Sequence, residues 1–310
     1  MLLHITHKTH YKYSPPVDTA QHISHLHPLD LSTQQVLSSN LHIDPKPASM
    51  IENRDVFGNL RAFFSLQSRH DELIITSTSL ILTKALELPS NTLKLSPAWE
   101  TVRDHFRYHA SYSWDAATEF VFPSMYAPHH VDFAEYARPS FSAQRPILEA
   151  ACDLMTRIHR ELKYASNTTD INTPAREALT KRQGVCQDFA HILLACLRTL
   201  GLAARYVSGY LLTVVPEGKK RLIGSDASHA WVSIYIPDSN TNGLGTQGQW
   251  YDLDPTNNRW GLSSPGEDYV TLAIGRDFAD VSPVRGVIHG GTNHTLDVGV
   301  TVRPVEQLTS

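Results

Sequence analysis

Cysteine is scarce in this sequence, since only Cys152, Cys186 and Cys196 occur among its 310 residues. An odd number of widely spaced cysteines does not build a disulfide framework, so a packed core must hold the fold together. Free thiols of this kind are typical of a reducing compartment, where one of them can be reactive.

Long apolar runs and an excess of basic charge are also missing. No stretch approaches the length of a membrane span, and the first residues lack the apolar core of a signal peptide. The 27 basic and 31 acidic residues give a net charge of −4, whereas nonspecific nucleic-acid binders need a basic field that displaces phosphate counterions. We therefore expect a cytoplasmic protein that binds neither membranes nor nucleic acids.

The first part of the chain has the pattern of β-strands. Residues 3–13 alternate between apolar or aromatic and polar side chains, and residues 60–66 and 73–82 are apolar, β-branched or aromatic runs. Turn residues separate these runs, as in Ser14-Pro15-Pro16. The pattern predicts an N-terminal β-sandwich-like module over residues 1–95.

The remainder, residues 96–310, begins with helices and ends with strands. A first helix is predicted to start with Ser96 as its cap, and residues 109–142 to form a long connection. Further helices are predicted from Arg145, after Pro174, and from Cys186 to Leu200, where Gly201 provides a C-cap. Strands are predicted at 204–212, 229–236, 249–254, 284–288 and 295–302. Helices followed by antiparallel strands indicate an α+β domain, whose last strands, about 280–303, can return to the N-terminal module.

Cys186 stands at the predicted start of a helix, directly after Gly184-Val185. Free N–H groups and the helix dipole at such a position stabilise a thiolate and can also bind an oxyanion. The Asp188 carboxylate in the first turn would oppose ionisation of the thiol. A buried structural cysteine is the alternative interpretation, and it suits Cys152 and Cys196 better because both lie within apolar helical stripes.

A thiolate nucleophile needs a proton-transfer partner, for which His229 at the start of a predicted strand is the candidate. The imidazole in turn needs a group that holds its orientation, and Asp252 and Asp254 lie on one face of the next strand. Spacing does not choose between them. Asp254 is favoured because Pro255 ends the strand there and leaves the Asp254 side chain at the rim.

These segments resemble the transglutaminase-like cysteine enzymes, in particular the bacterial members with an N-terminal β module. The resemblance is strongest in GVCQDFAH (184–191), AARYVSGY (203–210), DASHAW (226–231) and DPTNN (254–258). It extends to HYKYSPPV (10–17), DVFGN (55–59), GRDF (275–278) and PVRG (283–286). It implies a papain-like α+β core in which Cys186 is the nucleophile, His229 the base and Asp254 the residue that orients the base.

The acyl acceptor is open at this point. We expect an amide or peptide-bond hydrolase acting on a peptide or carboxamide substrate, because the segment 238–249 is polar and indicates an open cleft. A protein-glutamine acyltransferase and a non-catalytic peptide-binding protein are the alternatives. We place Gln187, Trp231 and Trp250 in the substrate cleft, and the N–H of Cys186 together with Tyr164 at the oxyanion position, although Tyr164 can equally be a core aromatic.

No metal or other cofactor is expected. His4 and His7 point to opposite faces of a strand, so the histidine-rich N-terminus does not form a ligand cluster. The segment 217–221 has the composition of a solvated hairpin tip that could contact a substrate carboxylate.

Overall fold

A computed structural model describes residues 1–108, 110, 114–165, 172–213, 228–238 and 248–305 of the chain. Its strands are β1 Leu2–Ser24, β2 Gln34–Asp44, β3 Ser49–Arg54, β4 Leu60–Leu66, β5 His70–Thr83, β6 Lys163–Tyr164, β7 Gln183–Gly184, β8 Ala204–Leu211, β9 Ser228–Pro237, β10 Gly248–Asp254, β11 Arg259–Leu262, β12 Tyr269–Gly275, β13 Val284–Gly290 and β14 Asn293–Pro304. Its helices are α1 Thr92–Leu95, α2 Trp99–His105, a 3₁₀ helix Ala116–Val121, α3 Val131–Ala137, α4 Ile147–Glu161, α5 Ala175–Lys181, α6 Cys186–Thr199 and α7 Phe278–Val281.

Strand β1 lies at the centre of a seven-stranded sheet and pairs with four of its other strands. Its first half pairs with β5 and β14, and its second half pairs with β4 and β13. The predicted turn at Pro15-Pro16 is therefore wrong as a strand end: the register shifts there, but the strand resumes at Val17. Proline removes N–H donors from the ladder locally without preventing an extended backbone.

Strands β13 and β14 belong to this first sheet although they follow all the helices in sequence. We propose to keep the division of the chain near residue 95, with these two late strands completing the N-terminal module.

The second sheet is antiparallel, with the strand order β11-β10-β9-β8-β12. Strand β9 supplies Ala230, Val232 and Ile234 to the large core that also contains the apolar side chains of α4 and α6. On the other side of the sheet, Val207 and Trp231 pack in a separate buried cluster that includes Leu29 from the segment after β1. The second sheet is therefore buried on both faces, which explains why β9 is buried along almost its whole length.

Helix α6 has two well-defined ends. It begins at Cys186, as predicted, and the chain leaves it through Gly201 with a φ of +81°, a left-handed conformation that glycine adopts without strain. The buried Arg198 side chain donates hydrogen bonds to the carbonyl oxygens of Ala204 and Arg276. These contacts connect the end of α6 to β8 and to the segment after β12.

Other details differ from the sequence prediction. The helix expected at Ser96 begins at Trp99, because the Ser96 hydroxyl instead donates to the Leu93 carbonyl and accepts the Leu148 N–H. The predicted connection 109–142 contains the 3₁₀ helix and α3, and β11 and β12 were not predicted. In the described part of the chain, none of the helices combines the length and apolarity that crossing a bilayer requires.

The two sheets are connected by a buried hydrogen bond. The Tyr210 hydroxyl lies 2.9 Å from His7 Nδ1, and the Thr9 hydroxyl lies 3.2 Å from the other ring nitrogen of His7. Burial lowers the pKa of His7 to about 4, so the neutral ring can accept the hydroxyl proton.

The substitution Tyr210→Phe should lower the free energy of unfolding by about 1–3 kcal/mol, because it leaves a buried imidazole nitrogen without a partner. The matched control is Tyr126→Phe, whose hydroxyl makes an exposed bond to Asn172 and whose loss should cost about 0.5 kcal/mol or less. Urea denaturation measures both values. Equal stabilities of the two variants would contradict this role for the Tyr210 hydroxyl.

Candidate active site

The turn before α6 places Cys186 at the first position of the helix. The Asp188 Oδ2 atom accepts the N–H of Val185 at 2.8 Å, which closes the turn. A Cβ atom on Gly184 would lie 2.5 Å from Asp188 Oδ2, so only glycine fits there. Cys186 is half-buried, whereas Asp188 is buried and turned back toward Val185. The carboxylate that was expected to oppose the thiolate is therefore engaged by the turn.

His229 lies between Cys186 and Asp254. Its Nε2 atom is 2.7 Å from Asp254 Oδ2, and Cys186 lies close enough to His229 to raise the pKa of the imidazole. Burial opposes protonation of His229, but the hydrogen bonds and charges of Asp254 and Cys186 outweigh it and raise its pKa to about 10. The site therefore favours an imidazolium beside the charged Asp254 carboxylate at neutral pH.

Asp254 is fully buried and accepts hydrogen bonds at both carboxylate oxygens. Besides His229, the Asn257 amide and the Tyr269 hydroxyl each lie 2.7 Å from Oδ2. The backbone N–H groups of Thr256 and Asn257 donate to Oδ1. Burial raises the pKa of Asp254, but these hydrogen bonds outweigh it, so that the pKa is lowered and the carboxylate stays charged.

Asn257 and Tyr269 were missed as site residues by sequence reasoning. The Asn257 Nδ2 atom also lies 3.3 Å from His229 Nε2. Asn257 belongs to the DPTNN segment that carries the family resemblance, so this resemblance could have indicated it as a site residue. No sequence pattern indicated Tyr269, because it lies on the unpredicted strand β12, 15 residues after Asp254.

Asp252 has different partners from Asp254. It accepts hydrogen bonds from Trp231 Nε1 at 2.7 Å and from the Ser233 hydroxyl at 2.5 Å. Burial raises its pKa, against the opposing effects of Ser233, Trp231 and Arg205. Asp252 therefore holds the side chains of Trp231 and Ser233 on β9, whereas Asp254 contacts the imidazole of His229.

The predicted positions of the two tryptophans in the substrate cleft are wrong. Trp231 has an exposed fraction of 0% and its indole N–H is bound by Asp252, because the face of β9 that carries it is covered by other residues. Trp250 pairs with Tyr235 at the far end of β9 from His229, about 20 Å away at roughly 3.3 Å per residue.

Tyr164 and Gln187 lie near the start of α6. Tyr164 is 52% exposed and packs edge-to-face on Phe189. Burial and the negative charge of Cys186 both raise the pKa of Tyr164. Tyr164 pairs with Gly184, two residues before Cys186, in the short parallel ladder of β6 and β7. Gln187 is half-buried in the first turn of α6.

The other two thiols are enclosed in the helical core. Burial raises the pKa of Cys152 to about 12, and it raises the pKa of Cys196 further. Neither thiol therefore ionises at neutral pH.

Within the part of the chain that the structure describes, no group of three or more His, Cys, Asp or Glu side chains could hold a metal ion. The segment 217–221 lies outside the described residues, as does most of the polar stretch 238–249.

Comparisons with known proteins agree with this architecture. Residues 3–81 match the family description "Bacterial transglutaminase-like N-terminal region", and residues 134–255 match "Transglutaminase-like superfamily". An uncharacterized protein of Mycobacterium tuberculosis is 39% identical over 307 residues, which cover 97% of this chain and 92% of that protein. An uncharacterized protein of Mycobacterium leprae is 27% identical over 303 residues, covering 97% of this chain and 98% of that protein.

A solved structure described as a "Putative Cysteine Protease" from Cytophaga hutchinsonii has the same fold, with a TM-score of 0.71 and 21% sequence identity. The match covers 100% of this chain and 92% of the other. The expected family and the α+β fold with an N-terminal strand module are confirmed. The chain therefore belongs to the transglutaminase-like superfamily, a family of cysteine-dependent hydrolases and transferases.

Proposed function

We propose that the protein hydrolyses amide or peptide bonds with Cys186 as nucleophile, His229 as acid and base, and Asp254 as the residue that orients His229. The observation that carries this proposal is the position of His229, whose ring bonds to Asp254 and lies close enough to Cys186 for the thiol to raise the imidazole pKa. Such an arrangement supplies a thiolate together with the proton that the leaving group will need.

The first half-reaction breaks the C–N bond of the substrate. The Cys186 thiolate attacks the carbonyl carbon and forms a C–S bond, and the resulting oxyanion is stabilised by the N–H of Cys186 at the start of α6. His229 then gives its proton to the departing amine, which leaves a thioester on Cys186. The Tyr164 hydroxyl is the candidate for a second oxyanion donor, since it lies near Cys186 and is half exposed.

The second half-reaction returns the enzyme to its starting state. Neutral His229 removes a proton from water as the oxygen attacks the thioester carbonyl. The C–S bond breaks, the carboxylic acid leaves, and Cys186 and His229 again form a thiolate–imidazolium pair. Asp254 remains charged throughout and holds the ring through Nε2.

Water as acceptor is supported by where the structure places Trp231 and Trp250, the two tryptophans that were expected in the substrate cleft. Transfer to a protein amine needs a channel that keeps water away from the thioester. Trp231 is buried in the core and Trp250 lies at the opposite end of the sheet, so neither forms such a channel beside Cys186. We also propose a cytoplasmic location, where the three free cysteines are kept reduced.

The role of Asp254 can be tested with Asp254→Asn. This change should lower kcat/KM about 10²- to 10⁴-fold with the fold intact, because the imidazole loses the anion that orients it. The alkaline limb of the pH–rate profile, which reports loss of the His229 proton near pH 10, should move down by about one unit or more. Asp252→Asn is the matched control, since it changes a buried carboxylate that bonds to Trp231 and Ser233. A larger loss of activity in folded Asp252→Asn would reverse the assignment.

The choice of acceptor is tested by partitioning. N-blocked glutamine dipeptides and a panel of short peptides are incubated with the enzyme and increasing hydroxylamine, and mass spectrometry measures acid and hydroxamate products. We expect acid to dominate at millimolar amine, and Cys186→Ala to abolish both products. A dominant hydroxamate would identify a transferase, and no turnover across the panel together with tight peptide binding would identify a binding protein.

A further inference from the structure

Arg205 on β8 carries a charge that is poorly compensated. Its side chain shares a row across the sheet with Ser233 on β9 and Asp252 on β10. The guanidinium carbon lies 4.0 Å from the centre of the Trp250 ring, and the Nε atom is buried without a hydrogen-bond partner. Among the described residues, no hydrogen bond or ion pair of this guanidinium is found. Burial lowers the pKa of Arg205 to about 10, and the charge of Asp252 only partly opposes that effect.

Two cavities meet at this side chain. The larger has a volume of about 610 Å³, the smaller about 240 Å³, and both are lined by Arg205, Trp250 and Ile274. The walls of the larger cavity include a cluster of aromatic side chains, with Phe57 and Phe120 beside Trp250. A concave aromatic site of this volume, with one convergent charged group, has the characteristics of a small-molecule pocket.

The acidic residues around the larger cavity limit the charge of its ligand. Asp115 is buried and is already satisfied by the His105 ring at 3.0 Å and by the N–H of Ala117. Glu119 is exposed and also lines the cavity. Two carboxylates line the cavity and a third, Asp252, already acts on the guanidinium, so a ligand with a single negative charge fits best.

We propose that this cavity, separate from the catalytic residues, binds a small monocarboxylate with an apolar or aromatic body. The carboxylate pairs with the Arg205 guanidinium, which is suited to planar anions. The body packs against Phe57, Phe120 and Trp250. Arg205 lies about 13 Å and Trp250 about 20 Å along the sheet from His229, so occupation of the cavity leaves the catalytic cleft open.

Phenylacetate and its neutral analogue phenylacetamide are the probes, and isothermal titration calorimetry is the measurement. We expect one phenylacetate per chain with a dissociation constant of about 1 mM, a value ordinary for a ligand of this size. Phenylacetamide should bind at least about tenfold more weakly, because it cannot neutralise the guanidinium. Equal binding of acid and amide, or no saturable binding of the acid at ten times this concentration, would overturn the proposal.

Two variants locate the binding site. Arg205→Met should reduce phenylacetate binding to the level of the amide, whereas Arg103→Met, which removes an arginine stacked on Trp99 outside this cavity, should leave it unchanged. Unaltered binding in folded Arg205→Met would contradict the site. If Arg205→Met does not fold, alkylation of Cys186 decides the location: binding should persist in the alkylated wild-type protein, and its loss would place the ligand in the catalytic cleft instead.

Discussion

The bond between His229 Nε2 and Asp254 Oδ2 is the interaction on which the rest of the candidate site depends. It joins the start of β9 to the end of β10, two neighbouring antiparallel strands. A buried carboxylate is stable only when its oxygens are satisfied, and Asn257 and Tyr269 complete that requirement for Asp254. With the carboxylate charged, the imidazole keeps one nitrogen occupied and presents the other to Cys186.

The two faces of the second sheet differ in the side chains that they carry. Its helix-facing side is apolar and packs on α6, which holds Cys186 at the rim. Its other side carries polar and aromatic groups in sequence along the strands, from His229 through Trp231 to Tyr235. His229, Asp254 and the Arg205 cavity therefore lie on one face of the sheet, and the same strand alternation positions them.

Much of the candidate site was predictable because its signals are local. A helix start places Cys186, and strand ends place His229 and Asp254, without any knowledge of distant contacts. Tyr269 was not predictable, since its hydroxyl reaches Asp254 only through the pairing of β12 with β8. Trp231 was placed wrongly because alternation along β9 shows which residues share a face but not which layer covers that face. The continuation of β1 beyond Pro15-Pro16 depends on pairing with β4 and β13, which local turn chemistry does not report.

The charge state of His229 tests the central claim most directly. In ¹⁵N-labelled protein, NMR titration of the ring nitrogens should show an imidazolium that persists well above pH 7, with a pKa near the value of about 10 that Asp254 and Cys186 together impose. Cys186→Ser should lower this pKa, because the hydroxyl does not supply the second anion. A His229 ring that is neutral at pH 7 in the wild-type protein would contradict the proposed thiolate–imidazolium pair.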